Sequence, residues 1–201
     1  MNRALLSLLV CTLGLLWLAI LRIEGVPASL AWLRPSVIVV TAATGLLWAW
    51  DNMLWRTRPF SLLRKRLDLN GTWKAVLRPE ESKRIAAYWV VWQTASRLMA
   101  RLYTSESYSS TVVATLNMED DGAATVSSVY RNEPRLRVRE ESDMHYGGLI
   151  LRTADALATK LEGQYWTDRG TKGEMTAERI SRDHARSFAE ARAIEERTPS
   201  K

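Results

Sequence analysis

YRNEP (residues 130–134), MHYGG (144–148) and LEGQYWTDRGTKG (161–173) are three runs in which aromatic or apolar residues alternate with polar ones and stop at proline or glycine. Period-two alternation is the mark of a strand with one buried face, and Pro and Gly mark where strands end. The polar residues of these runs, Tyr130, Asn132, His145, Tyr165, Arg169 and Thr171, fall at strand ends. That placement predicts the rim of a barrel rather than its wall.

The same pattern extends outward from this stretch. Strands are expected over 70–78, 85–93, 97–104, 110–118, 123–132, 144–152, 159–167 and 172–181. The separators 79–83, 105–109, 120–122, 133–143, 154–157 and 168–171 carry the turn residues. Even spacing and short connections predict an eight-stranded up-and-down barrel, which closes without leaving edges. Gly71-Thr72-Trp73 on the first strand resembles the Gly-x-Trp with which lipocalin-like barrels plug one end. In such a meander the odd strands end, and the even strands begin, at one mouth. Thr104, Ser107, Ser109 and Ser110 therefore join the six rim residues there. Alternation places Leu98, Ala100, Leu102 and Thr104 on one face, and likewise Ser128, Tyr130 and Asn132. Each face runs from small or apolar residues to polar ones at the mouth, as a ligand cup requires.

The rim chemistry suits an anion. Arg169 can clamp a phosphate in bidentate fashion, and the hydroxyls of Thr104, Ser110 and Thr171 can donate to its oxygens. Tyr130, Tyr165 and Trp166 offer faces for bases, His145 can bond a base or a phosphate, and Asn132 can read a base edge. Taken singly, each residue has a plainer role: a solvated arginine, a structural histidine, turn serines in SESYSS. Their convergence at one mouth favours a compact ligand with two negative charges and two flat ends.

Before the strands, residues 4–21 read ALLSLLVCTLGLLWLAIL between Arg3 and Arg22. Such a run, at ~1.5 Å rise per residue, approaches the thickness of a bilayer core. A cleaved signal peptide ending near Val26-Pro27-Ala28 is the alternative, but a second apolar run follows from Ser36 to Trp50. Trp48, Trp50 and Trp55 suit an interfacial aromatic belt, and Asp51 falls at head-group depth or serves a function within the membrane. Arg56, Arg58, Arg64, Lys65 and Arg66 follow, so the positive-inside rule puts both termini in the cytoplasm. The expected organisation is a two-helix transmembrane hairpin (1–58), a basic linker able to bind anionic lipid (59–68), the barrel (69–182) and a charged helix or tail (183–201). The fold class is thus a membrane-anchored all-β protein with a short C-terminal helix.

The 201 residues carry a formal charge of +6, which permits anionic partners without choosing among them. Cys11 is the single cysteine and lies in the first apolar run, which excludes a disulfide framework. No nucleophile elbow, HExxH, phosphate-binding loop or metal-ligand spacing is present, and His145 and His184 are the only histidines. No catalytic residue, metal or cofactor is expected. Glu119-Asp120-Asp121 reads as a solvated hairpin tip.

The order of these elements resembles the two-helix β-barrel membrane effectors of bacterial CBASS anti-phage systems, the CD-NTase-associated barrel proteins. The likeness rests on Gly71-Thr72-Trp73, Gln93, Thr104 with Ser107 and Ser110, Tyr130-x-Asn132-x-Pro134, His145-x-Gly147, Leu161-x-Gly163-x-Tyr165 and Arg169-x-Thr171-x-Gly173. It implies a cyclic dinucleotide made by a cognate CD-NTase as ligand, and no DNA or RNA polymer. It further implies self-association and disruption of the inner membrane, causing abortive infection. Ser128 departs from the family pattern, standing where an aromatic residue is expected before Tyr130. The alternative is a membrane-anchored lipocalin-like barrel for a lipid or other apolar ligand.

Overall fold

The computed structural model describes residues 3–23, 25, 33–57, 67–80, 83–119, 123–140, 142–153 and 159–197. The chain divides into two units, Met1–Ser61 with Thr94–Ser96, and Leu62–Gln93 with Arg97–Lys201.

The first unit holds α1 (Arg3–Ile23) and α2 (Leu33–Asn52), followed by a 3₁₀ turn over Leu54–Arg56. Both apolar runs therefore form helices, each slightly longer than its apolar core. Among the described residues no helix is long and apolar enough to cross a membrane; in α1 the described side chains begin at Cys11. Leu13, Leu15, Leu16 and Trp17 on α1, and Val37, Ile38, Val39 and Trp48 on α2, are exposed. Trp50 is half-buried and Trp55 is buried. Asp51 has a specific structural partner. Its carboxylate accepts from the Ser96 N–H (2.8 Å) and its carbonyl from the Ala95 N–H (2.9 Å). The basic cluster from Arg58 to Arg66 and the candidate cleavage site lie outside the described residues.

The second unit is a closed antiparallel barrel in sequential order, β1 (Gly71–Pro79), β2 (Ile85–Gln93), β3 (Leu98–Tyr103), β4 (Ser107–Met118), β5 (Ala124–Pro134), β6 (His145–Thr153), β7 (Lys160–Thr167) and β8 (Lys172–Ser181). β8 closes on β1 from Thr72–Ser181 to Pro79–Gly173. The expected strands are present, with two shifted ends. β4 starts at Ser107 rather than Ser110, and β5 runs on to Pro134, paired with Ser107. The serine-rich run reads as a turn by composition, but Thr104 makes the turn alone. Its hydroxyl accepts from the N–H groups of Glu106 (3.2 Å) and Ser107 (2.9 Å). The Asp120–Gly122 tip and residues 154–157 lie outside the described residues.

Inward positions of the strands form one apolar core including Trp73, Leu77, Trp89, Val91, Leu149, Leu151, Leu161 and Met175. Trp73 plugs the end remote from the rim. It is fully buried, donates through Nε1 to the Leu69 carbonyl (2.9 Å), meets Trp89 edge-on, and carries the Arg179 guanidinium 5.2 Å over its ring. Gly71 is obligatory here. Its φ is +123°, and a Cβ would lie 2.1 Å from the Ser181 carbonyl oxygen. Gln93 locks the same end, accepting from the Leu69 N–H (2.8 Å) and donating to the Leu67 carbonyl (2.9 Å). Asn70 completes the knot by bonding both backbone groups of Gln93.

On the outside, Tyr88, Val90 and Trp92 of β2 alternate with the inward set, so the run YWVVW is buried on both faces. The cover is α3 (Phe188–Arg197), which the sequence leaves free to pack on the wall or fray. Ser187 accepts the Glu190 N–H (3.1 Å), while the Glu190 carboxylate accepts the Arg186 N–H (2.8 Å), a reciprocal cap that starts the helix. Glu195 anchors it, accepting from the Tyr88 hydroxyl and pairing with Lys74 (2.6 Å).

One seam differs from the rest. β3 pairs with β4 only through Arg101–Ser110, Leu102–Ser109 and Tyr103–Tyr108. Below these the Thr111 hydroxyl substitutes for the ladder, donating to the Ala100 carbonyl and accepting its N–H (both 3.0 Å), and β4 then bulges before Val113.

Candidate functional site

At the end opposite Trp73, the hairpins β1–β2, β3–β4, β5–β6 and β7–β8 surround an open cavity of about 740 Å³. Its mouth is polar and its depth apolar, with Leu77, Trp89, Ala100, Leu149 and Met175 below. The sequence-derived parity therefore holds: Thr104, Ser107, Tyr130, Asn132, His145, Tyr165, Arg169 and Thr171 all line this one space.

Ser110 does not line it. Because β4 begins early, Ser109 takes the inward phase, while Ser110 pairs with Arg101 and Arg131 in the outward row. Trp166, read as a stacking face, is likewise out of phase and about half exposed on the outer wall, lying across Gly148. Ser109, placed at the rim by parity, and Ser128, on the face of Tyr130, also line the cavity, and Thr111, Arg84 and Glu106 line it without having been singled out. Correct phasing from Ser107 would have added Thr111 and removed Ser110. Arg84 was available to the parity argument, since it immediately precedes a strand that begins at the mouth.

The wall made by β4 and β5 is hydroxylic. Buried Ser109 donates from Oγ to Oδ1 of buried Asn132 (2.9 Å), so the amide nitrogen of Asn132 is left as the donor. Tyr130 lies flat against β6, because its cross-strand partner is Gly147. A Cβ at Gly147 would stand 2.4 Å from both Cζ and the hydroxyl oxygen of Tyr130, and 2.5 Å from the Trp166 carbonyl oxygen. The ring thereby fills the space of an absent side chain and turns its other face to the lumen. Its hydroxyl donates to the Trp166 carbonyl at 3.4 Å, a long bond. Burial above all, with repulsion from Tyr165 and Asp168, holds the Tyr130 phenol protonated far above its usual range. Burial raises the Tyr165 phenol as well. Both rings are therefore neutral surfaces that place no negative charge against an anion.

Arg169 sits in the β7–β8 turn. Thr167 closes that turn on Thr171 (2.8 Å), with Gly170 in the left-handed region at φ +81°. From there Arg169 leans onto the β5–β6 connection, donating through Nη1 to Ser142 Oγ (2.9 Å). The same connection supplies the Asp143 carbonyl, 3.1 Å from His145 Nδ1. A carbonyl only accepts, so Nδ1 carries the proton and Nε2 is the ring atom available to a ligand. The Thr104 hydroxyl is already engaged by its own turn and stands 3.1 Å from Ser107 Oγ. Among the described residues no group of His, Cys, Asp and Glu could hold a metal ion.

A cup with a cationic lip, hydroxyl and amide donors on one wall and neutral aromatic faces on another matches a phosphate-bearing ligand with planar ends. Residues 65–179 match the family described as Cap15, cyclic dinucleotide receptor domain. The chain belongs to the Cap15 family. The matched span covers the barrel from just before Leu67 to Arg179, near the end of β8. A Cap15 relative, CD-NTase-associated protein 15 of Staphylococcus schleiferi, is 21% identical over 155 residues, 75% of this chain and 82% of that protein. Among solved structures, a redesigned β-barrel covers 56% of this chain and 92% of its own, at 12% identity and a TM-score of 0.29, too low to add to the Cap15 assignment.

Proposed function

We propose that the chain is a CBASS effector whose barrel binds a cyclic dinucleotide made by a cognate CD-NTase, using the cavity at its mouth. The observation that carries this reading is the meeting of Arg169, His145, Asn132 and the Ser107–Ser109 wall with the flat face of Tyr130 in one space. In this reading Arg169, Thr171 and Ser107 hold phosphate oxygens. Tyr130 and Tyr165 flank a base, and Asn132 donates to its edge. Thr104 contributes by shaping the lip, because its oxygen already serves two backbone donors.

The output lies in α1 and α2. The exposed leucines, valines and tryptophans of these helices, together with the uncharged run from Ala4 to Leu21, support their insertion in the inner membrane with both termini cytoplasmic. Trp50, Asp51 and Trp55 then mark the end of the second span. Binding shifts the chain toward self-association to the extent that the ligand prefers the assembled state, and clustered hairpins disrupt the bilayer.

The test is calorimetric titration of the full chain in detergent micelles against a panel of cyclic dinucleotides that varies bases and linkage and, separately, fatty acids. Binding of one cyclic dinucleotide, abolished or severely weakened in Arg169→Ala, is the expected result. The second reading, an apolar ligand, is favoured by Leu77, Leu149 and Met175 in the depth of the cavity. Fatty-acid binding indifferent to Arg169→Ala, with no response to the nucleotides, would establish it instead.

A further inference from the structure

We propose that Arg84 is a second phosphate-binding residue, so that the mouth is a divided clamp for a ligand with two separated phosphates. The inference rests on the reading of the cavity as a cyclic-dinucleotide site and adds a contact that the family assignment does not supply. Arg84 immediately precedes β2 on the first of the four mouth hairpins and lines the cavity. It is exposed, and among the described residues its guanidinium has no hydrogen-bond or ion-pair partner.

Arg169, the other arginine of the cavity lining, is placed differently. It originates on the fourth hairpin, next to the first, but its head group is held by Ser142 on the third. In the closed strand order, the third hairpin stands across the mouth from the first. The two guanidinium groups thus approach the opening from separate sides, with the hydroxyl wall of β4 and β5 between them. A single phosphate requires convergent donors, whereas a dinucleotide ring carries its two phosphates on opposite edges. Two separated cations suit the latter, each offering a planar fork to one phosphate. Glu106 is the carboxylate among the described residues that line the cavity, and it sits on the second hairpin, which carries neither arginine.

The experiment titrates the wild-type full chain, Arg84→Ala, Arg84→Lys and Arg169→Ala in micelles with the same cyclic-dinucleotide panel at several salt concentrations. Arg84 is exposed and unpaired among the described residues, so its substitution leaves the melting temperature unchanged. The expected result is a loss of tenfold or more in affinity for Arg84→Ala, about one ion fewer in the salt dependence, and partial recovery in Arg84→Lys. Arg84→Ala binding within twofold of wild type, with an unchanged salt slope, overturns the divided clamp and leaves the cyclic-dinucleotide reading standing. A folded wild-type chain that binds no member of the panel overturns both.

Discussion

Replacing Gln93 by leucine isolates what the polar knot at the plugged end contributes. Leucine approximates the glutamine in volume, so little cavity is created, but both side-chain hydrogen bonds vanish. The Leu69 N–H, on a residue with no solvent exposure, loses its 2.8 Å acceptor, and the Leu67 carbonyl loses its 2.9 Å donor. A buried group left unpaired costs about 1–3 kcal/mol. Leu67 is only half-buried, so water recovers part of its share. The sum is about 2–4 kcal/mol. For a barrel of this size, each kcal/mol corresponds to roughly 3–6 °C, which predicts a fall in Tm on the order of 10–20 °C. Thermal unfolding followed by tryptophan fluorescence measures it directly, since Trp73 and Trp89 meet beside the knot. Binding at the mouth, measured well below the transition, stays at the wild-type level because Gln93 does not line the cavity. A Tm within about 2 °C of wild type would refute the reasoning, because neither orphaned group would then be truly buried.

Arg169→Ala removes a charge-assisted contact of about 1.5–3 kcal/mol, so the affinity for the responsive cyclic dinucleotide should fall roughly 10- to 100-fold in calorimetry. Gly147→Ala pushes a methyl group into Tyr130 and the Trp166 carbonyl; destabilisation of about 1–3 kcal/mol by chemical denaturation is expected, with weakened binding as the ring leaves the wall. Acidification should release α3. Burial opposes the Glu195 charge, but the hydrogen bonds from Lys74 and Tyr88 and the charges of Lys74 and Arg192 outweigh it and hold the carboxyl below its usual range. Its contribution is therefore full above the ordinary glutamate value of about 4.3 and is lost as pH falls through the lower folded value. Near-UV circular dichroism of Tyr88 and Trp92 should report the release, and Glu195→Gln should shift the profile.

The architecture was largely open to reading because a barrel repeats one rule. Alternation defines each strand's faces, and meander parity gathers alternate strand ends at one mouth. Both steps are local, and both were sufficient to bring Tyr130, Asn132, His145, Tyr165, Arg169 and Thr171 together. What was not legible depended on single-residue offsets or on three-dimensional contacts. Thr104 tightens the β3–β4 turn with its own side chain, moves the start of β4 and turns Ser110 out of the cup. The flat pose of Tyr130 needs the Tyr130–Gly147 register, which no local pattern specifies. The cover provided by α3 left a trace, in that YWVVW on β2 is apolar on both phases and so demands burial on two sides.

The short β3–β4 seam gives the barrel an uneven mechanics. The chain's first and last strands are joined along nearly their whole length, whereas two strands linked by a tight turn are the loosely laced pair. Separating β3 from β4 breaks few backbone bonds and leaves the longest-range closure intact, so this seam can open without global unfolding. Ala100, Leu102, Ser107, Ser109 and Thr111 flank that seam and also line the cavity. The circumference of the cup is therefore tied by the fewest ladder bonds on one side. A guest too wide for the resting cup would meet the fewest backbone bonds at this one joint, on the far side of the cup from Arg169.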